Sequence, residues 1–156
     1  EPKNPEELFE GSLYRLPGDR FGMPATAFKG AIVDAARFFK GSKLTMTALK
    51  QMIFIKGEGS DMLVPIDGVP KMRTDPVRNA TGVADIRYRC EFWPWTATVE
   101  VVFVKGMFDL SSLVALIDAA GIGGIGEWRP SSKMSKTGMY GTFQVVDDQD
   151  AKEIPL

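Results

Sequence analysis

Ile86-Arg87-Tyr88-Arg89-Cys90-Glu91-Phe92, followed after Trp93-Pro94-Trp95 by Ala97-Thr98-Val99-Glu100-Val101-Val102-Phe103-Val104, is the stretch that decides the fold class. Side chains alternate across a strand with a period of two. In the first run Ile86, Tyr88, Cys90 and Phe92 share one face, and Arg87, Arg89 and Glu91 the other. In the second, Ala97, Val99, Val101 and Phe103 share a face, with Thr98, Glu100 and Val102 opposite. Both read as long strands, with Tyr88 and Phe92 turned to a core and Arg87 and Arg89 turned away from it.

Upstream, Met52-Ile53-Phe54-Ile55-Lys56 and Met62-Leu63-Val64-Pro65-Ile66 flank a Gly57–Asp61 loop, which predicts a hairpin whose second arm Pro65 places at a sheet edge. Residues 67–83 hold Gly68, Pro70, Pro76, Asn79 and Gly82 and read as mostly irregular. Farther back, Phe28, Ile32, Ala35, Ala36 and Phe39 recur at helical spacing after Pro24, with Lys29, Asp34, Arg37 and Lys40 elsewhere around the wheel and Gly41 as a stop. Thr45 caps a short helix to Lys50, and residues 1–22 read as an entry loop with a helical turn near Pro5–Phe9. Downstream, Asp109 or Ser111 caps a helix that Gly121 ends, a glycine-rich loop runs to Gly141, and Thr142–Val146 forms a last strand.

This order predicts an α+β fold with a largely antiparallel sheet and helices on one face. It fits a ferredoxin-like β-α-β-β-α-β unit with two main helices and hairpin elaborations, if a first strand lies upstream of Glu1 or comes from a partner. The chain opens without a Met, which points to a longer protein. Residues 1–146 read as a single domain and 147–156 as an acidic flexible tail.

Composition narrows the function classes. The 156 residues are 44% apolar and 25% charged, as in an ordinary globular chain, and no apolar run approaches the ~20 residues of a membrane helix. One cysteine, Cys90, permits no intrachain disulfide and suits a cytoplasmic setting. There is no histidine, which removes the commonest general base and metal ligand. Asp34, Glu91, Glu100 and Asp118 lie in different elements, Ser111 and Ser112 read as helix caps, and Cys90 falls on an apolar strand face. No catalytic set and no cofactor site emerges. Net charge is −1, but the last ten residues carry four acids and one base, leaving the rest at +2. From Lys71 to Arg89 five bases, among them Arg73, Arg78, Arg87 and Arg89, face two acids. That strip reads either as a solvated face or as a phosphate-binding surface whose affinity falls with salt.

Gly121-Ile122-Gly123-Gly124-Ile125-Gly126 matches G-x-G-x-x-G by letter, but a helix precedes it and Trp128-Arg129-Pro130 follows, the reverse of the dinucleotide context. The longer string, through Glu127-Trp128-Arg129-Pro130 and Gly138-Met139-Tyr140-Gly141-Thr142-Phe143, resembles the glycine-rich loop of the RAMP superfamily, the RNA-binding subunits of CRISPR effector complexes. The Gly-Glu-Trp-Arg-Pro portion is also similar to the C-terminal end of small bacteriophage proteins, which would imply a host bacterial cytoplasm. The resemblance covers the last forty residues or so, and the rest only by element order. It implies a ferredoxin-like fold, a loop packed near RNA, and subunits that associate along the strand. The histidine that cleaving members often use is missing, so it implies binding rather than cleavage.

The physics of such a loop agrees. Glycines let the backbone approach phosphate, and their N–H groups form a concave anion nest. The candidates are Gly123, Gly124, Gly126 and Gly138, with Arg129, Lys133 and Lys136 beside them, and Arg73, Arg78, Arg87 and Arg89 on the sheet. The competing reading makes the glycines a tight backbone crossing with Trp128 as a core plug. Trp93 and Trp95 either stack a base or close a core. The acidic tail either solubilises the chain or competes with nucleic acid for the basic strip. The expected function is non-catalytic binding of single-stranded RNA or DNA at low sequence specificity, with self-association into an oligomer or larger complex. The alternative is a structural or protein-interaction module that self-assembles or binds a host factor.

Overall fold

The computed structural model describes residues 2–39, 45–104, 106, 109–134 and 136–146. Gly41 and the acidic tail, both singled out above, lie outside the described residues. The element order is α1 (Pro5–Gly11), β1 (Tyr14–Leu16), β2 (Arg20–Pro24), α2 (Ala25–Ala35), α3 (Met46–Met52), β3 (Ile53–Ile55), β4 (Leu63–Asp67), β5 (Pro70–Arg78), β6 (Ala84–Phe92), β7 (Thr96–Ala97), β8 (Val101–Phe103) and α4 (Leu110–Gly123). The fold is α+β with antiparallel pairing throughout, in one four-stranded sheet, β1-β2-β4-β7, and two two-stranded sheets, β3-β8 and β5-β6. The chain divides into two compact units, Glu1–Pro24 with Gly57–Val99, and Ala25–Lys56 with Glu100–Leu156.

In the first unit, Asn4 caps α1 by accepting the Glu7 N–H at 3.3 Å. The Pro17-Gly18-Asp19 signal turns a hairpin between β1 and β2, where an entry loop was expected. Leu16, Leu63 and Val64 form this unit's small core. Residues 70–78, expected to be irregular, form β5, paired with β6 over nine residues. Both prolines fit because each strand of a two-stranded sheet is an edge, where an imino nitrogen need not donate to a ladder. The expected hairpin between Met52–Lys56 and Met62–Ile66 does not form: β4 pairs with β2 and β7, and β3 with β8. Pro65 is therefore not on an edge strand. β7 stops at Ala97, opposite Ile66, so Pro65 meets a neighbour on the β2 side only.

The second unit carries most of the core. Phe28, Ala31, Ile32 and Ala35 of α2, Leu49 of α3, Ile53 and Ile55 of β3, and Leu113, Leu116 and Ala120 of α4 are all buried. Thr45 caps α3 by accepting the Ala48 N–H at 3.2 Å, and Asp109 caps α4 by accepting the Ser112 N–H at 2.7 Å. The alternating run 97–104 is not one strand. It divides into β7 and β8, which join different sheets. α4 passes Gly121 and ends at Gly124, which takes φ 73°. The expected last strand, 142–146, pairs with no strand among the described residues. Its Phe143 N–H donates to the Gly121 carbonyl at 3.1 Å and its Val145 N–H to Asp118 Oδ1 at 2.8 Å, so it is held by α4.

Candidate nucleic-acid interface

The basic strip of the sequence falls on β5 and β6. Their register sets Lys71 opposite Glu91, Arg73 opposite Arg89, Asp75 opposite Arg87 and Val77 opposite Asp85 on one face. Like charges directly opposite repel. Arg73 answers this by bonding carboxylates: its Nε lies 3.0 Å from both Asp75 oxygens, and its Nη1 lies 3.1 Å from Glu91 Oε2. Arg78 donates to the Gly82 carbonyl at 2.9 Å and braces the hairpin loop. Lys3 lies 2.6 Å from Asp85, and its ammonium, with the Ile86 N–H, holds that carboxyl below its usual range. Four bases therefore meet three acids on this face, and the strip is an ionic ladder rather than a bare cationic surface.

The faces of β6 alternate as expected, but the burial expected for them does not follow. No residue of β5 or β6 is buried; Ile86 is 48% exposed, while Arg87 and Arg89 are half-buried. Tyr88 and Phe92 are half-buried rather than core, and Phe92 packs edge-on against Phe21 at 6.0 Å. Trp93 is 72% exposed and closes no core, whereas Trp95 is half-buried.

The glycine-rich loop lies in the second unit, where its glycines serve a backbone crossing. A Cβ on Gly121 would fall on the Phe143 carbonyl oxygen, and one on Gly141 on the Ile125 carbonyl oxygen. Gly124 and Gly138 press on the backbones of Gly141 and Arg129 in the same way. The N–H groups of Gly124, Ile125, Ser131 and Tyr140 donate to the carbonyls of Ala120, Gly141, Gly123 and Trp128 at 2.9–3.1 Å. These four donors are turned into the loop, so of the candidate glycines Gly124 spends its N–H on the α4 end rather than on a ligand. Gly126 alone among the four candidate glycines has open space where a Cβ would stand, at φ 97°. Arg129 bends back to donate to the Gly126 carbonyl at 2.8 Å. Trp128 is half-buried against Tyr140, ring centres 6.1 Å apart, and is no core plug. Lys136 is exposed.

Lys133 is different. It lines a cleft of about 470 Å³, wholly within the second unit, with Lys29, Arg37 and Lys50 as its other bases and Asp34 as its acid. α2 and the turn after it supply Lys29, Asp34 and Arg37; α3 supplies Lys50. The Lys29 ammonium donates to the Lys50 carbonyl at 2.7 Å and lies 4.6 Å from the Phe54 ring centre. Arg37 Nε donates to Met46 Sδ at 3.2 Å, and its Nη2 lies 4.0 Å from Asp34. Sequence reasoning placed Lys29 and Arg37 only around a helical wheel and missed Lys50. The signal was present: Thr26, Lys29, Gly30, Val33 and Arg37 follow the spacing of a single helix face. Four bases against one acid around this open depression favour an anion.

Among the described residues no three His, Cys, Asp or Glu side chains gather to hold a metal ion, and no helix is long and apolar enough to cross a membrane. No family model, curated protein or solved structure matches this chain.

Proposed function

We propose that this chain binds single-stranded nucleic acid without catalysis, through phosphate contacts in the cleft of Lys29, Arg37, Lys50 and Lys133. The observation that carries the reading is that those four bases, with Asp34 as the one acid among the lining residues, border a single open cleft. Phosphate contacts position a strand without reading its sequence, so specificity is low. The resemblance of the glycine-rich loop to the RAMP superfamily points the same way, and Lys133 is the residue by which that loop reaches the cleft. The second unit runs α2, α3, β3, β8 and α4, with β3 and β8 antiparallel and residues 57–99 inserted between them; we read it as a ferredoxin-like unit with α3 added before its first described strand. On this reading a further strand joins the two-stranded sheet, from a longer chain or a second copy. Fluorescence anisotropy with labelled single-stranded RNA and DNA, at low and moderate salt, is the test. Binding that weakens with salt supports the reading, and no binding at low salt removes it.

A second reading, a protein-interaction module, rests on a different feature. Val69 and Trp93, 69% and 72% exposed, extend the Pro70–Phe92 pair at one end of the β5-β6 hairpin. Aromatic side chains enrich protein interfaces. Association with protein that salt leaves unchanged, in place of salt-sensitive oligonucleotide binding, would select it.

A further inference from the structure

Ile53 and Ile55 are buried at 0% and 7%, and strand alternation then turns Phe54 to the opposite face, where it is 50% exposed. A half-exposed phenylalanine on a short strand normally gains little from its position. Here one side of the ring is held. The Lys29 ammonium lies 4.6 Å from the ring centre and is itself fixed by its bond to the Lys50 carbonyl. That distance is within the ~6 Å over which a cation is attracted to an aromatic face. Lys29 also lines the basic cleft. One lysine thus joins the basic cleft to a half-exposed aromatic ring.

We infer that Phe54 is a stacking platform for an unpaired base whose backbone phosphates lie in the Lys29–Lys50–Lys133 cleft. The inference rests on the phosphate reading above and deepens it by naming the substrate class: a strand with free base faces, rather than a duplex whose faces are already stacked. Every base has a π-face, so the platform adds affinity without sequence preference. Phosphates give the salt dependence; the ring gives the preference for unpaired nucleotides.

The test compares a fluorescein-labelled single-stranded DNA with an abasic strand of equal length, and a matching RNA, by anisotropy. The proteins are the wild type, Phe54→Ala, Phe54→Leu and Phe54→Tyr. The wild type and Phe54→Tyr should prefer the base-bearing strand over the abasic one by about 5- to 150-fold. Phe54→Ala and Phe54→Leu should bind both strands alike, at an unchanged salt slope. Leu keeps an apolar side chain on the strand, so its result separates stacking from any loss of folding in the Ala variant. Salt-dependent binding by the wild type with no preference for bases would overturn the platform and leave the cleft standing. So would a preference that survives in Phe54→Leu. No binding of either strand by the wild type would remove cleft and platform together.

Discussion

Gly141→Ala is the sharpest probe of what the glycine-rich loop is for. Gly141 sits at φ 79°, and a Cβ there would fall on the Ile125 carbonyl oxygen. Its own carbonyl accepts the Ile125 N–H at 3.0 Å, and Ile125 is buried. An alanine pays about 1–2 kcal/mol for the left-handed conformation. It must also part the two limbs of the loop and break that bond, leaving polar groups poorly satisfied at about 1–3 kcal/mol. Together this is roughly 2–5 kcal/mol, or a fall in Tm of about 4–20 °C in a chain of this size. Gly126→Ala is the control. It carries only the first cost, because Gly126 has a positive φ and open space around its missing Cβ. Thermal unfolding followed by circular dichroism would measure both. A fall for Gly141→Ala no larger than for Gly126→Ala would refute the crossing and return the loop to a ligand-binding role.

Two further predictions concern stability. The Ser112 N–H, then the Ser112 and Ser111 hydroxyls, hold the Asp109 carboxyl below its ordinary 3.8, so its stabilising contribution is full above that value and is lost as pH falls through the lower folded value. Denaturant midpoints measured from pH 5 downward should fall, and Asp109→Asn should remove part of that fall; an identical pH profile would contradict the cap. Leu116, 1% exposed in α4, should cost about 2–5 kcal/mol on truncation to alanine, read from urea unfolding at constant m-value.

Local side-chain chemistry made parts of this fold legible. Thr45 was identifiable as a cap and Asp109 as one of two candidates with Ser111; Thr45 and Asp109 each bond an N–H three residues ahead. β6 followed from strict alternation. Pairing was not legible, because β3 meets β8 across the whole of the intervening inserted segment, and no local pattern encodes that partner. Alternation through 97–104 concealed the switch between sheets for the same reason. Prolines 70 and 76 read as breakers, which holds for a central strand but not for a two-stranded one. The candidate site was only partly legible. Lys133 was found from the loop it belongs to, whereas Lys50 becomes its neighbour only through the packing of α3 on α2. Of the two carboxylates that Arg73 bonds, Asp75 was in view on its own strand, whereas Glu91 is brought to it only by strand pairing.

On the proposed function, nucleic acid is held by the cleft. Arg37 lies beside Asp34, so on this reading Lys29, Lys50 and Lys133 would neutralise about three phosphates, for a slope of log affinity against log salt near −2 on a single strand. The decisive measurement is that slope for the wild type, for Lys50→Ala/Lys133→Ala and for Arg87→Ala/Arg89→Ala. The account predicts a slope near −2 for the wild type and the arginine variant, and about −0.7 for the lysine variant, whose one remaining contact is Lys29. An unchanged slope and affinity in the lysine variant, with loss of binding in the arginine variant, would contradict it and move the interface to the β5-β6 hairpin.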